Sequence, residues 1–242
     1  MKISRSIILF LCMFHSTQMA SARLGDGIDI SGMKLNAKTE MTVGYDDNIL
    51  LERDTKLEDM FYSLRPYIDF LVPFNSDTKL YFSADADLTR FFDETSENVD
   101  SYVFLAGFDF VIRDFYGTLL EEYTMPEDRD GILFTNIIKR SNNVPSILLG
   151  FDFNKLAVER LFRKIISRYD DPVYARDEYD QDDYMLTAYW HAFTKTDILL
   201  ELNLSKIEYE LPGRDGDYGQ IMAGLKGQIT SKIEGAIKAG YQ

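Results

Sequence analysis

Few side chains in this sequence are of a kind that performs covalent chemistry. The histidines are His15 and His191, and the one cysteine is Cys12. His191 has no partner at a spacing familiar from catalytic dyads or triads, so a structural or lumen-facing imidazole is expected. No phosphate-cradling glycine motif occurs. Three acidic groups, Asp128-Arg129-Asp130-Gly131, residues 178–183 (EYDQDD) and Asp215-Gly216-Asp217, supply carboxylates without the spaced ligands and closing Glu of a calcium loop. Solvated loops are the expectation for them. The chain therefore reads as a non-enzyme with no cofactor and no metal.

What remains chemically distinctive is charge strung along alternating stretches. Residues 78–92 read TKLYFSADADLTRFF: Leu80, Phe82, Ala84, Ala86 and Leu88 share one parity, and Lys79, Tyr81, Ser83, Asp85, Asp87 and Thr89 the other. A period of two belongs to a strand with unlike faces. The same pattern recurs along the chain and predicts about eleven strands, at 35–45, 60–72, 78–92, 101–112, 115–123, 147–153, 155–169, 184–192, 198–204, 221–229 and 233–241. The seventh, 155–169, is ambiguous, because Val158, Leu161, Phe162 and Ile165 would also form a helical stripe and Arg160 or Arg163 interrupts either strand parity.

Alternation alone does not say which face meets water. The N-terminus bears on it. Lys2 and Arg5 precede a mostly apolar run at 6–14, and Ala20-Ser21-Ala22 offers a small-x-small site. This is the pattern of a secretory leader cleaved after Ala22, and the run is too short for a spanning helix. The exported chain would hold no cysteine and hence no disulfide. Its formal net charge of −14 becomes two units more negative without Lys2 and Arg5, which argues against a nucleic-acid partner. Beyond residue 22 no apolar run is long enough for a membrane helix, so strands are its remaining way to cross a bilayer.

The predicted connections alternate between long and short. Those near 46–59, 93–100, 124–143, 170–183 and 210–217 are long, and those near 73–77, 113–114, 154–155, 194–196 and 230–231 are tight. A meander places alternate connections at opposite ends, and outer-membrane barrels have short periplasmic turns and longer outer loops. Tyr45, Tyr62, Phe92, Tyr102, Tyr184 and Tyr241 lie where a strand meets a long connection, on the apolar parity, as a membrane-interface girdle requires. Tyr209 and Tyr218 sit at equivalent ends on the other parity. The fold class expected is all-β, an antiparallel up-and-down transmembrane barrel over 35–242, after a leader (1–22) and a periplasmic segment (23–34). With lipid outside, Lys38, Glu40, Arg65, Asp69, Lys79, Tyr81, Asp85, Asp87, Asp109, Asp152, Glu201, Lys226 and Lys238 become candidate pore-lining residues.

The stretch GYDDNILLERD and the final run YELPGRDGDYGQIMAGLKGQITSKIEGAIKAGYQ resemble the β-barrel porin-2 family of bacterial outer-membrane proteins. The most specific part is Gly224-Leu225-Lys226-Gly227 with Gly240-Tyr241. Several members of that family are encoded beside exopolysaccharide assembly genes. The resemblance implies an outer-membrane pore passing a polysaccharide or small polar solutes. Its partners would be outer-membrane lipid, lipopolysaccharide and the barrel-assembly machinery. It also implies a longer barrel, so an odd strand count leads to the expectation of a C-terminally truncated chain with unpaired edges. An exported soluble ligand-binding barrel or sandwich and a non-conducting envelope scaffold are the alternatives.

Overall fold

A computed structural model describes residues 27–49, 56–129, 137–211, 213–230 and 233–242. The leader, residues 50–54 of the GYDDNILLERD stretch and Asp130-Gly131 lie outside these residues. Among the described residues the chain is almost entirely strand. The strands are β1 (Ile28–Ile30), β2 (Met33–Asp46), β3 (Asp59–Pro73), β4 (Lys79–Phe91), β5 (Val99–Ile112), β6 (Phe115–Met125), β7 (Glu127–Arg129), β8 (Ile137–Asp152), β9 (Leu156–Tyr169), β10 (Tyr179–Phe193), β11 (Thr196–Tyr209), β12 (Gly216–Thr230) and β13 (Ile233–Tyr241). They form one sheet in chain order, each antiparallel to the next, with β7 pairing only β8. Among the described residues no strand pairs with the outer edge of β13, and β2 is covered on its outer side only by β1.

The eleven expected strands are the long ones, β2 to β6 and β8 to β13. The ambiguous segment at 155–169 is β9, with Val158 and Phe162 on one face and Leu161 and Ile165 on the other, as the pairing Leu161↔Met185 and Phe162↔Tyr184 requires. Three expected boundaries need correction. The 124–143 connection is shorter than read, because β8 begins at Ile137; residues 179–183 belong to β10 and not to a loop; and β12 starts at Gly216. In each case the strand runs on past its apolar face into polar sequence, where ladder hydrogen bonds continue without any alternation in hydropathy. The short strands β1 and β7 were not expected; β1 and the first residues of β2 occupy the segment read as periplasmic. They meet through Ser31-Gly32, whose two positive φ angles (56° and 86°) are those of a type I′ hairpin.

Both faces now have an address. The apolar parity is the accessible one: Met41 is 65% exposed, Leu200 53% and Ile237 69%. The polar parity is the more covered one away from the β2 edge, where Lys38 and Glu40 are exposed: Ser63, Asp69, Thr187, Glu201 and Ser205 are buried. Polar side chains also meet across an intervening strand on the polar side, as Tyr116 of β6 does with Glu159 of β9 and Lys238 of β13 with Glu201 of β11. The sheet therefore curls toward its polar face and turns its hydrophobic residues outward, the reverse of a water-soluble fold.

At the long-loop end charge returns to the outward face. Arg90 pairs with Asp100, Lys164 with Asp180 and Asp182, and Arg168 with Asp180. Beside them Asp59, 6% exposed, ties the β4–β5 connection to β3. Its carboxylate accepts the amides of Asp93 (2.8 Å), Glu94 (2.9 Å) and Met60 (2.6 Å). The Glu94 amide is the largest influence, and with those of Asp93 and Met60 it outweighs the opposing desolvation. The carboxyl is held below the usual range. A depressed carboxylate contributes stability that is present above its unfolded pKa of about 3.9 and is lost as pH falls through its folded value. Asp59→Asn should accordingly raise amide exchange at Asp93 and Glu94 at pH 7 by roughly fivefold or more. The difference should shrink as pH falls through the depressed folded pKa of Asp59 and vanish once the carboxyl is protonated in both states. Equal exchange in both proteins at pH 7 would contradict the clamp.

Candidate functional site: the concave polar face

The concave face carries two groups of polar side chains. On β2 to β5, Arg65 bridges to Asp87 at 2.6 Å, and Asp87 also accepts the Ser63 hydroxyl at 2.8 Å. Lys79 lies 3.3 Å from Asp109, which accepts the hydroxyls of Thr118 (2.9 Å) and Tyr81 (3.5 Å). Lys38 stands 3.8 Å from Glu40 and 5.3 Å from the centre of the Tyr67 ring. Asp69 accepts the Asn36 amide at 3.2 Å, and Asp85 lies opposite Tyr67.

The second group lies in and beside a cleft of about 330 Å³ over β8 to β13. Thr187, 3% exposed, is flanked in register by Glu159 of β9 and Glu201 of β11. The Glu159 carboxylate accepts the hydroxyls of Tyr116 (2.8 Å) and Tyr189 (3.0 Å). Glu201 instead pairs with Lys238 at 2.6 Å and accepts the Asn203 amide at 2.8 Å. Lys226 sits 5.3 Å from the centre of the Tyr189 ring, and Arg163 bridges to Asp183 at 2.6 Å. Asp69, Asp85 and Glu159 make no salt bridge among the described residues, so acid is left over on this face.

All thirteen candidate pore-lining residues fall on the concave parity, but they do not form one cluster. Asp152 and His191 sit apart, at the short-turn end. There His191 does have a partner, contrary to the sequence reading: its Nδ1 is 2.8 Å from Asp197, and its Nε2 is 3.9 Å from Asp152. The pairing arises because the tight β10–β11 hairpin folds residue 197 back beside 191. Tyr116, Glu159, Arg163, Asp183 and Tyr189 belong to the site and were missed. Glu159 and Arg163 lay in the segment of ambiguous period, and Asp183 in a stretch read as loop. Once β9 is accepted as a strand, odd-numbered parity marks Glu159 and Arg163 directly.

Tyr116 reaches Glu159 by lying over Gly150 of β8, where an added Cβ would collide with the ring. Gly150→Ala should push Tyr116 off Glu159 and cost about 1–3 kcal/mol as overpacking. The check is denaturant unfolding against Gly150→Ala combined with Tyr116→Ala, in which the glycine substitution should become nearly neutral.

Tyr45, Tyr62, Phe92, Tyr102, Tyr184 and Tyr241 all lie on the outward parity near the long connections, with Tyr62 and Phe92 packed edge to face at 6.2 Å. Tyr209 and Tyr218 remain on the concave parity, opposite Tyr179 and Ser205. A second aromatic row at the short-turn end had not been read from the sequence. Phe74, Phe108, Phe110 and Phe115 follow one another at ring separations of 6.2, 5.8 and 5.6 Å, and Phe153, Trp190 and Phe193 are exposed nearby. From Tyr62 to Val72, at roughly 3.4 Å per residue and a tilt of about 40°, the rise is about 26 Å, close to the apolar band of a membrane barrel.

No protein-family model matches the sequence, and no curated protein matches it. Among solved structures, in-vitro folded OmpT, an outer membrane protein of Vibrio cholerae, is similar at 9% identity with a TM-score of 0.45, over 90% of this chain and 89% of that one. Its trimer form is similar at 9% identity with a TM-score of 0.39, over 86% and 88%. By its own strand order, this chain is an all-β protein folded as a single antiparallel up-and-down sheet.

Proposed function

We propose that the protein is an outer-membrane β-barrel of porin type and that its concave face lines a passive pore for polar solutes. The observation that carries this reading is the reversed polarity of the sheet: leucine, isoleucine and phenylalanine exposed, and carboxylates and ammonium groups turned inward. Such a surface is costly in water and favourable against hydrocarbon. The two aromatic rows would mark the interfaces, and the outward ion pairs at and beyond the upper row would stand among outer-leaflet headgroups. Export would follow leader cleavage after Ala22, so mature protein should begin at Arg23 by N-terminal sequencing. Insertion would draw on the barrel-assembly machinery.

The unbridged carboxylates Asp69, Asp85 and Glu159 give the lining a bias toward cations. In planar bilayers the protein should conduct with K⁺ preferred over Cl⁻. Asp85→Asn with Glu159→Gln should cut that preference by about half or more without abolishing conductance. A folded, membrane-inserted protein that stays silent would sink the pore reading and leave an envelope scaffold. Extraction without detergent would sink both. Tyr67, Tyr81, Tyr116 and Tyr189 beside carboxylates also suit a saccharide, whose hydroxyls need both donors and acceptors. The link to exopolysaccharide export therefore predicts that acidic or neutral polysaccharide fragments block the current from one side.

A further inference from the structure

Between the two aromatic rows, the outward parity of the described strands carries Arg90, paired with Asp100 at the level of Tyr62, and two further charged side chains, Glu121 on β6 and Arg160 on β9. These two are exposed, and neither has a hydrogen bond or salt bridge among the described residues. Arg160 stands between Leu149 and Leu186, and Glu121 between Ala106 and Pro145. An arginine or a glutamate facing lipid at this depth is strongly unfavourable unless it finds a counter-charge or reaches the interface. They cannot serve one another within a chain. Their partners on the intervening β8, Pro145 and Leu149, are four residues apart, which with two strand spacings separates the two Cα atoms by about 16 Å.

Depth is what makes them complementary between copies. At a strand tilt of about 40°, four residues along β8 descend about 10 Å and two strand spacings offset about 6 Å of that, so Glu121 and Arg160 come within about 4 Å of one depth. A two-fold axis along the bilayer normal preserves depth and exchanges the two sides of the patch, so Arg160 of each copy faces Glu121 of the other. We infer that the outer faces of β6, β8 and β9 form a self-complementary dimer interface with a second copy of this chain, closed by two Arg160–Glu121 ion pairs. This rests on the reading of the apolar band as lipid-facing, which outer-membrane fractionation of the same variants tests separately.

The test uses the full chain in vesicles of phosphatidylethanolamine and phosphatidylglycerol, with dimer measured by energy transfer between labelled copies as protein is diluted into lipid. Arg160→Gln and Glu121→Gln should each weaken the dimer at least about tenfold. The exchanged variant, Arg160→Glu with Glu121→Arg, should restore it. Folding of every variant is read from heat-modifiable gel mobility. A wild-type protein that is monomeric at all dilutions would overturn the inference, as would a dimer indifferent to either neutral substitution or an exchanged variant that stays apart. A monomer whose Arg160 merely draws phosphatidylglycerol would show lipid dependence without energy transfer, and would overturn it too.

Discussion

Leu202→Arg is expected to destabilise the protein in a lipid bilayer by about 2–4 kcal/mol, read from denaturant unfolding in vesicles. Leu202 lies on the outward parity of β11, flanked by Leu186 and Ile221, and is 40% exposed. If that face met water, an arginine at a side chain already so accessible would change stability by only about 0.5 kcal/mol. The size of the effect therefore decides between lipid and water outside. Gln220→Arg, beside Leu202's strand on the concave parity opposite Asn203, is the control: it should cost less than about 1 kcal/mol. If the two substitutions cost the same, the reversed-polarity reading fails.

The second large effect concerns the cleft. Lys238 of β13 crosses β12 to reach Glu201 of β11, and the two side chains are 12% and 6% exposed. Lys238→Met removes the cation and leaves the carboxylate covered and unpaired, which should cost about 3–5 kcal/mol. Glu201 keeps the Asn203 amide, but one neutral donor does not replace an ammonium group. Adding Glu201→Gln to Lys238→Met should recover most of the loss, because the stranded charge is then gone. Unfolding in detergent micelles measures both variants. Equal stabilities for single and double variants would show that the ion pair is solvated in the membrane-inserted protein.

Much of the fold was legible because a β-strand writes its two faces into alternate residues. Leu80 to Leu88 against Lys79 to Thr89 is readable with no knowledge of neighbours, and so is Tyr184 to Trp190. The strand ends were not legible where β8 and β10 leave the apolar band, since Arg140 to Asn143 and Asp180 to Asp183 show no contrast between faces. Backbone pairing with the next strand holds them, and pairing is not a local property.

Where alternation is clear the sequence by itself determined the parity of the side chains, and hence that Asp85, Asp87, Glu201 and Lys238 share a face opposite to Leu88 and Leu202. It also determined the excess of acid and the aromatic ends of the strands. Only the tertiary structure decided which members of that face meet. Glu159 is bonded by Tyr116 and Tyr189, Lys238 finds Glu201 across a strand, and His191 finds Asp197 across a hairpin. These partners depend on the register of neighbouring strands and on the curl that brings alternate strands together. Both are set by the whole ladder, and a one-residue slip would turn every one of these side chains to the other face.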